Sequence, residues 1–523
     1  MEASLFSLLP PVVAIVMVIL TRRVLLSLGV GIILSALLLE NFNPIDSFVL
    51  IYEKVRGIIF DEGFALNTWN MYIVFFLLIL GIITALLSIS GGSRAFGEWA
   101  LQRVKTRAGA QVMTAILGVL VFIDDYFNSL AVGQVARPVT DRHKVSRAKL
   151  AYILDSTAAP ICVVSPISSW GAYIIGLIGT VLVAQEVTDV SAFSAFMQMI
   201  PMNLYVWAAM ILVFVVALRN LNFGSMAKHE NRAMQTGELL DPEKPAAGEM
   251  KVDLPVSPKG KVMDLVAPII ALVIGVVVAM LITGAQAVDG PFDLLATFEN
   301  TDVAGSLLYG GIFGLVVTVL MALRHVGSGE VDGRIIGKGV WSGIQSMLPA
   351  IYILFFAWTI VGLIEDLKTG EYLAGLVQQA NLPIELLPVM VFIVAGVIAF
   401  STGTSWGSFG ILLPIAGQIA AATDISILLP AMAAVLAGAV FGDHCSPISD
   451  TSILSSTGAS SNHIDHVMTQ LPYALLAAFV SIIGYIVMGY TSSVIAGVVV
   501  VLVGLAIAIL ILERVTKSQT VTS

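Results

Sequence analysis

Residues 442–452 of the chain read GDHCSPISDTS, and residues 165–169 read SPISS. The two copies of Ser-Pro-Ile-Ser begin 281 positions apart, at Ser165 and Ser446. Proline lacks an amide hydrogen and small polar side chains compete with helical hydrogen bonds, so each copy predicts a break in an apolar helical segment. Two such breaks in one chain suggest that it contains two related halves.

Further matches occur in the same order along both halves. Residues 72–76 (YIVFF) resemble residues 352–356 (YILFF), 280 positions later, and residues 11–14 resemble residues 268–271 at an offset of 257. A longer loop near residues 284–302 absorbs the change in offset. Self-similarity of this kind predicts a duplication. The expected domains are a first repeat (1–218), a linker (219–262), a second repeat (263–490) and an extra C-terminal span with a tail (491–523).

The composition predicts an all-α polytopic membrane protein. Hydrophobic residues make up 58% of the chain and charged residues only 12%, whereas soluble domains carry about 25% charged residues. Apolar runs such as Leu265 to Thr283 reach the length of a spanning helix, so the lipid bilayer is the expected partner. The net charge of −9 argues against a nucleic-acid partner. Cys162 and Cys445 fit reduced packing cysteines, because their spacing suggests neither a metal site nor a disulfide framework.

The distribution of basic residues predicts the orientation, because Lys and Arg accumulate on the cytoplasmic side. The basic segment 94–107 corresponds to the acidic segment 365–385. The basic residues after Arg137 correspond to a loop in which Asp424 is the only charged residue. Equivalent loops would thus lie on opposite sides, as inverted-topology repeats require. We expect about five crossings per repeat and about 11 in all, starting with a retained span at Leu8 to Leu20. The chain would cross the inner membrane with its N-terminus outside and its C-terminus in the cytoplasm.

One segment in each half must enter the membrane and return. We interpret Gly109 to Ala136 as a re-entrant hairpin with its tip at Ile123 to Ser129. Its counterpart is Leu387 to Ala420, with its tip at Ser401 to Ser408. The same charges also fit two short full spans in each half. The linker is rich in Pro, Gly, Lys and Glu, which predicts a flexible cytoplasmic connection.

Polar residues at the hairpin tips and the breaks form the candidate site. Irregular backbone and ionisable side chains at membrane depth are costly and therefore point to function. Carboxylates, hydroxyls and exposed carbonyls suit a hard cation such as sodium, and exposed amides suit a substrate carboxylate. The candidate ion- or substrate-binding residues are Asp124, Asp125, Asn128, Asp155, Ser156, Thr157, Ser165, Ser168, Ser169, Thr402, Thr404, Ser405, Asp443, His444, Ser446, Ser449, Asp450 and Thr451.

Several of these residues also have a structural interpretation. Adjacent acids cannot share one helix face, so at most one of Asp124 and Asp125 is expected to face a site. Either Asp124 or Asp443 could instead cap a broken helix, and Asp155 could bond only to neighbouring hydroxyls. His444 fits a proton carrier or a packing residue equally well. The run from His463 to His466 is expected at the cytoplasmic edge of the membrane.

The runs FIDDYFNS (122–129) and GDHCSPISDT (442–451) resemble those of the NhaC family of Na+/H+ antiporters, and the resemblance extends over almost the whole chain. The resemblance implies sodium and protons as coupling ions and an architecture of hairpins and broken helices in two inverted repeats. It also implies a homodimer. The family is functionally mixed, since it includes malate/lactate exchangers and carriers thought to move amino acids.

Two hypotheses of function follow. The first is a secondary transporter that exchanges sodium for protons by alternating access, without any cofactor or metal other than the transported sodium. The alternative is a sodium- or proton-coupled transporter of a small organic solute, such as an amino acid or a mono- or dicarboxylate. An enzyme is not expected, because the sequence has no nucleophile–base pair, metal-ligand spacing or phosphate-binding loop.

Overall fold

A computed structural model of the protein describes residues 2–21, 23–122, 124–166, 168–244, 246, 255–288, 293–326, 331–369, 371–372, 375–376 and 383–521. Apart from two isolated β-bridges, the regular structure of these residues is helical. The helices of the first half are α1 Leu9–Thr21, α2 Val24–Leu39, α3 Pro44–Ile59, α4 Thr68–Ile89, α5 Gly92–Arg103, α6 Arg107–Leu120, α7 Asp125–Arg142, α8 Arg147–Val163, α9 Ser169–Ala184, α10 Ala192–Met199, α11 Leu204–Arg219 and α12 Ser225–Thr236. Those that follow are α13 Met263–Ala287, α14 Leu294–Glu299, α15 Val303–Leu323, α16 Gly333–Asp366, α17 Leu387–Thr402, α18 Ser405–Thr423, α19 Leu428–Cys445, α20 Asp450–Gly458, α21 His463–Thr491 and α22 Val494–Val521.

The helices confirm the expected class of multi-pass membrane protein. Among the described residues, eight helices are long and apolar enough to span a bilayer, or up to ten if each of two bent pairs counts as one span. One bent pair is α2 with α3, whose axes differ by 120°. The expected first span, Leu8 to Leu20, corresponds to α1, which has 13 residues. At 1.5 Å per residue it is about 20 Å long, against a hydrocarbon core of about 30 Å.

Two groups of helices bury most of the apolar side chains. In the first group α4 packs against α15 and α16, and α13 packs against α15. In the second, α9 and α11 pack with α17, α18, α19 and α21. Glycines allow close approach in both groups. A Cβ on Gly81 would lie 2.3 Å from the carbonyl oxygen of Gly343, and one on Gly438 would lie 2.1 Å from that of Phe392.

Both predicted hairpins are pairs of packed helices, with shorter tips than expected. The first pair is α6 and α7, joined by residues 121–124, of which Ile123 lies outside the described residues. Asp125 to Ser129 were expected in the tip and instead form the start of α7, because the Asp124 carboxylate accepts from the amide of Phe127 and caps this helix. The second pair is α17 and α18, and only Gly403 and Thr404 separate them.

Both Ser-Pro-Ile-Ser segments interrupt helical structure, as predicted. The first break separates α8 from α9, and the second separates α19 from α20. Ser168 and Ser449 cap the helices that follow, and each accepts a hydrogen bond from the amide three residues later. Ile167 and the side chain of Ser169 lie outside the described part. The two breaks differ in one respect, since α9 has 16 residues and α20 only nine.

Hairpin and broken helix follow each other in the same order in both halves. This order agrees with a duplicated chain. The inversion of the halves, the domain boundaries and the count of about 11 crossings stay predictions.

The prediction of a flexible linker is wrong for its first half. Residues 225–236 form α12, which packs against α8 and α21. The carboxylate of Glu230 is fully buried there, 2.5 Å from a guanidinium nitrogen of Arg107, and it accepts a hydrogen bond from the amide of Ser146 at 2.8 Å. A buried ion pair with further hydrogen bonds holds this segment in place, which composition alone did not indicate.

Candidate functional site

The short helix α20 lies where the two halves meet. Its first residue, Asp450, accepts a hydrogen bond from the hydroxyl of Tyr126 on α7. One turn further, the hydroxyls of Ser455 and Ser129 lie 2.9 Å apart. At its end, a Cβ on Gly458 would lie 2.3 Å from the carbonyl oxygen of Ser129, so the backbones of α7 and α20 are in contact. The first hairpin therefore packs directly on the second break.

Asp155, in the middle of α8, is fully buried and has hydrogen-bond partners on both carboxylate oxygens. Its carboxylate accepts from the hydroxyls of Ser452 at 2.8 Å and Ser455 at 3.2 Å. It also accepts from the side-chain amide of Gln470 at 2.6 Å and lies 3.1 Å from Nε2 of His466. These four donors come from α20 and α21, so Asp155 joins the first half to the second. The side chain of His466 is fully buried, and its expected place at the cytoplasmic edge of the membrane stays a prediction.

Asp443, at the end of α19, is only partly satisfied. One carboxylate oxygen accepts from the hydroxyl of Ser405 at 3.2 Å and from that of Thr451 at 3.1 Å. The other oxygen is buried and has no hydrogen-bond partner among the described residues. Asp443 thus brings together the start of α18, the end of α19 and the start of α20. Its free oxygen and the two hydroxyls are the atom types that bind sodium.

Asp125 has the same incomplete arrangement on the side of the first hairpin. One oxygen accepts from the indole nitrogen of Trp170 at 2.8 Å, and the other is buried without a partner among the described residues. Asn128, one turn later on α7, donates to the carbonyl oxygens of Gly118 and Val121, and its own amide oxygen has no partner in the described structure. Of the two adjacent acids, Asp125 is the one with an available oxygen, and Asp124 caps the helix.

Unpartnered buried atoms are concentrated in this region. Most buried polar atoms in proteins have a hydrogen-bond partner, so a cluster of exceptions indicates a place where water or an ion is bound. Within the described residues, the exceptions around the breaks are Asp125 Oδ2, Asn128 Oδ1, Asp443 Oδ1, His444 Nε2, His466 Nδ1 and Gln470 Oε1. They come from α7, α19 and α21, and four of the six are oxygen atoms.

Several predicted site residues make local contacts that stabilise the breaks. The hydroxyls of Thr157, Ser165 and Thr402 each donate to the carbonyl oxygen four residues earlier. Thr404 caps α18, and Ser168 and Ser449 cap α9 and α20. Ser446 donates to the carbonyl oxygen of Phe400, and Ser156 contacts the hydroxyl of Tyr152. His444 lies 3.1 Å from the hydroxyl of Tyr205 through Nδ1. Their contacts hold the backbone around the central acids.

A cavity of about 280 Å³ reaches Asp450 from one side of the molecule. Tyr126, Glu365 and Thr404 contribute polar groups to it, and its aromatic lining residues are Trp69, Trp358 and Trp406. Asp450 lines this cavity and is hydrogen-bonded to Tyr126. Asp124 and Asp125 line a separate, smaller cavity, which Tyr126 and Trp406 also line.

The sequence analysis missed the partners that complete this site. Tyr126, Ser129, Trp170 and Ser452 all lie in or next to the motifs and were not selected. His466 and Gln470 lie on α21, more than 300 positions after Asp155. Their spacing of four residues puts both on one face of a helix, which was the available signal. The described residues contain no group of three or more His, Cys, Asp or Glu arranged to hold a metal.

Comparison with known proteins places the chain in a family. A sequence model described as the Na+/H+ antiporter family matches residues 161–490, which include both Ser-Pro-Ile-Ser breaks and the second hairpin. The chain belongs to the Na+/H+ antiporter family. An uncharacterized protein of Haemophilus influenzae is 48% identical over 520 residues, covering 98% of this chain and 96% of that protein. The protein is accordingly a membrane transporter of an antiporter family.

Other relatives match over shorter regions. A malate-2H(+)/Na(+)-lactate antiporter of Bacillus subtilis is 30% identical over 158 residues, or 28% of this chain and 31% of its own length. The arginine/ornithine antiporter ArcD of Halobacterium salinarum is 29% identical over 155 residues, or 29% of this chain and 31% of its own. The YdaH transporter of Alcanivorax borkumensis aligns with 85% of this chain and 88% of its own at 14% identity, and the TM-score of 0.34 is too low to establish a common fold.

Proposed function

We propose that the protein is a Na+/H+ antiporter that exchanges sodium for protons across the inner membrane by alternating access. The observation that carries this proposal is Asp443, a buried acid with one unpartnered oxygen and two hydroxyl groups on the other. A charge at membrane depth without a full set of partners is costly unless an ion compensates it. Membership of the Na+/H+ antiporter family supports the same exchange.

Sodium would bind between Asp443 and the two helix ends that face it. Hard cations prefer oxygen ligands, and Ser405 and Thr451 supply hydroxyl oxygens on either side of the carboxylate. Because Asp443 is the only one of these groups with a charge, one bound Na+ or one bound proton neutralises the set. The two ions therefore compete for one carboxylate, and that competition is the physical basis of exchange.

Asp125 and Asp450 extend this site toward the first hairpin. Asp450 is exposed to the cavity described above and is hydrogen-bonded to Tyr126, which follows Asp125 directly in the chain. Ions that enter through the cavity would meet Asp450 before the fully buried acids. Asp155 has a structural part in this scheme, since both of its carboxylate oxygens accept hydrogen bonds from α20 or α21.

Sodium binding can be tested on the purified protein by its effect on thermal unfolding. A ligand that binds only the folded state raises stability by about 2.7 kcal/mol at 100 times its Kd. We expect NaCl to raise the Tm of the wild-type protein in detergent more than KCl does at equal ionic strength. Asp443→Asn should abolish this difference, because the amide cannot supply the charge that binds sodium.

The matched control is Asp424→Asn, which changes an exposed acid at the N-terminus of a turn of 3₁₀-helix. This variant should keep the sodium effect. An unchanged sodium effect in Asp443→Asn would contradict the assignment of the site. Stabilisation by an amino acid or a dicarboxylate, without any effect of sodium, would contradict Na+/H+ exchange and favour an organic solute as the cargo.

A further inference from the structure

A second cavity, of about 400 Å³, lies on the face where the basic loops are found and contains none of the acids discussed above. It lies between α4, α5 and α7, and Arg147 of α8 and Ser460 complete its lining. Four arginines line it, Arg94, Arg137, Arg142 and Arg147, and we call it the arginine cavity. Arginine binds carboxylate and phosphate oxygens through several N–H groups at once, so such a lining suits an anion.

The protein supplies little negative charge to balance these arginines. Asp141 is the one acid that lines the cavity, which leaves an excess of three positive charges among its lining residues. Asp141 is already engaged, at 2.9 Å from Arg147. Arg94 is 4.0 Å from Glu98, which is exposed, and donates to the carbonyl oxygen of Ser257 at 3.0 Å. The arginine cavity is therefore an electropositive site that an anion would neutralise.

The N-terminal turn of α5 adds further donors to the arginine cavity. α5 begins at Gly92, and its second and third residues, Ser93 and Arg94, line the cavity. The first amides of a helix have no acceptor within the helix and lie at the positive end of its dipole, an arrangement that recurs in phosphate-binding sites. Ser93 and Ser460 also line the cavity, and the hydroxyl of Ser460 accepts a hydrogen bond from Arg137. Arginines, hydroxyls and helix amides together form a donor set typical of phosphate sites.

The position of α5 indicates where such an anion would come from. The indole of Trp99 is 41% exposed, and the guanidinium of Arg103 lies 5.3 Å from the centre of its ring. Exposed tryptophan and arginine side chains of this kind mark the interface between membrane and water. The pair on α5 suits a position near the lipid headgroups, and basic pockets at that depth bind anionic headgroups.

We propose that the arginine cavity binds a phosphate-bearing anion, held by Arg94 on α5 and by Arg137 and Arg142 on α7. A phosphate group in this position contacts the helical group of α4 from one side and the first hairpin from the other. The bound phosphate thereby connects α7 of the first hairpin with the group of helices that contains α4. The proposal is independent of the ion exchanged at Asp443, because none of its residues belongs to that site.

The test measures Tm of the purified protein with two phosphate probes. One is inorganic phosphate, compared with chloride at equal ionic strength. The other is phosphatidylglycerol in mixed micelles, compared with phosphatidylcholine, whose headgroup has no net charge. We expect at least one of the probes to raise the Tm, and we expect Arg142→Gln and Arg94→Gln each to reduce this rise by at least half. A rise with phosphatidylglycerol alone assigns the site to a lipid headgroup, and a rise with inorganic phosphate assigns it to a soluble phosphate.

The control is Arg324→Gln, which removes one positive charge from an exposed side chain outside the arginine cavity. This variant should respond to the probes as the wild type does. The proposal is overturned if neither probe raises the Tm, or if the rise is the same in both cavity variants. An equal loss in Arg324→Gln would also overturn it, because the effect would then be one of total charge. Two cavity variants are used so that poor folding of one leaves the other to decide.

Discussion

Asp155 and Asp443 are both buried acids of the same region, and they differ in how completely their oxygens are satisfied. Asp155 accepts from two serines and Gln470 and lies next to His466, whereas Asp443 keeps one oxygen without a partner in the described structure. A buried carboxylate with donors on both oxygens is stabilised by its hydrogen bonds. A carboxylate with an open oxygen requires a proton or a cation. We therefore assign Asp155 to structure and Asp443 to ion binding.

Replacing Asp155 tests this difference at the level of one residue. In Asp155→Asn the charge is lost and the new NH₂ group faces donors that previously had a charged acceptor. Breaking a buried, hydrogen-bonded charge pair costs about 3–5 kcal/mol, so we expect a lower free energy of unfolding and a clearly lower Tm. Tryptophan fluorescence during heating in detergent measures the change.

The same measurement on Asp424→Asn should give a Tm close to that of the wild type, since Asp424 is exposed and asparagine also caps helices. If Asp155→Asn unfolds at the wild-type temperature but no longer transports ions, the structural assignment of Asp155 is wrong. That residue would then belong to the ion path.

The sequence indicated which residue types form the site but not how they pair. The acids at the hairpin tip and around the second break were selected because they stand next to helix breakers in apolar surroundings. Pairings such as Asp155 with His466 join residues 311 positions apart and depend on how α8 packs against α20 and α21. No local pattern contains that information.

At the level of elements, the nine-residue helix α20 connects the two halves at the candidate site. It carries Asp450, Thr451 and Ser452 on its first turn, and its end packs against α7 at Gly133 and Gly458. A Cβ on Gly458 would come within 2.3 Å of the carbonyl oxygen of Ser129. Real Cβ atoms do not approach backbone oxygens so closely, so the position requires glycine.

Gly458→Ala should therefore push α7 and α20 apart. Overpacking of this kind costs about 1–3 kcal/mol, and here it also moves Tyr126 relative to Asp450. We expect a lower Tm together with slower transport. The control is Gly337→Ala on α16, where a Cβ would meet nothing within 4 Å and alanine favours the helix. Equal behaviour of the two variants would show that the contact between α7 and α20 is not close.

The sequence predicted the breaks of these elements better than their ends. The proline of the second break and Gly403 after α17 interrupt the helical backbone directly. For this reason α17, α19 and α20 end or begin near the predicted residues. The tip of the first hairpin was predicted too long, because capping by the Asp124 side chain extends α7 back to Asp125. Whether an acid caps a helix depends on the fold of the turn, which the composition does not determine.

At the level of the whole molecule, the linker is part of the folded structure on the basic face. Glu230 of α12 is fully buried in an ion pair with Arg107, and Lys244 lies 2.6 Å from Asp465 on α21. The linker thus touches the first hairpin and the helix that carries His466. Its polar composition suggested flexibility. The buried charge pairs that hold it are formed with residues distant in sequence, and composition does not reveal them.

Glu230→Ala should release this segment, because it leaves Arg107 and the amide of Ser146 without their acceptor. We expect faster hydrogen exchange in residues 225–236 of the variant than of the wild type, measured by mass spectrometry. Glu238→Ala, on an exposed part of the same linker, should leave the exchange unchanged. Fast exchange of residues 225–236 already in the wild type would contradict the docking of α12.

The central claim is the exchange of sodium for protons at Asp443, and transport by the purified protein in liposomes tests it most directly. The liposomes carry a pH gradient, reported by a fluorescent dye, and contain no organic solute. We predict that adding Na+ dissipates the gradient for the wild type and for Asp424→Asn, and that Asp443→Asn leaves it intact. A gradient that survives the addition of Na+ to the wild-type protein, or one that Asp443→Asn dissipates at the wild-type rate, would contradict the account.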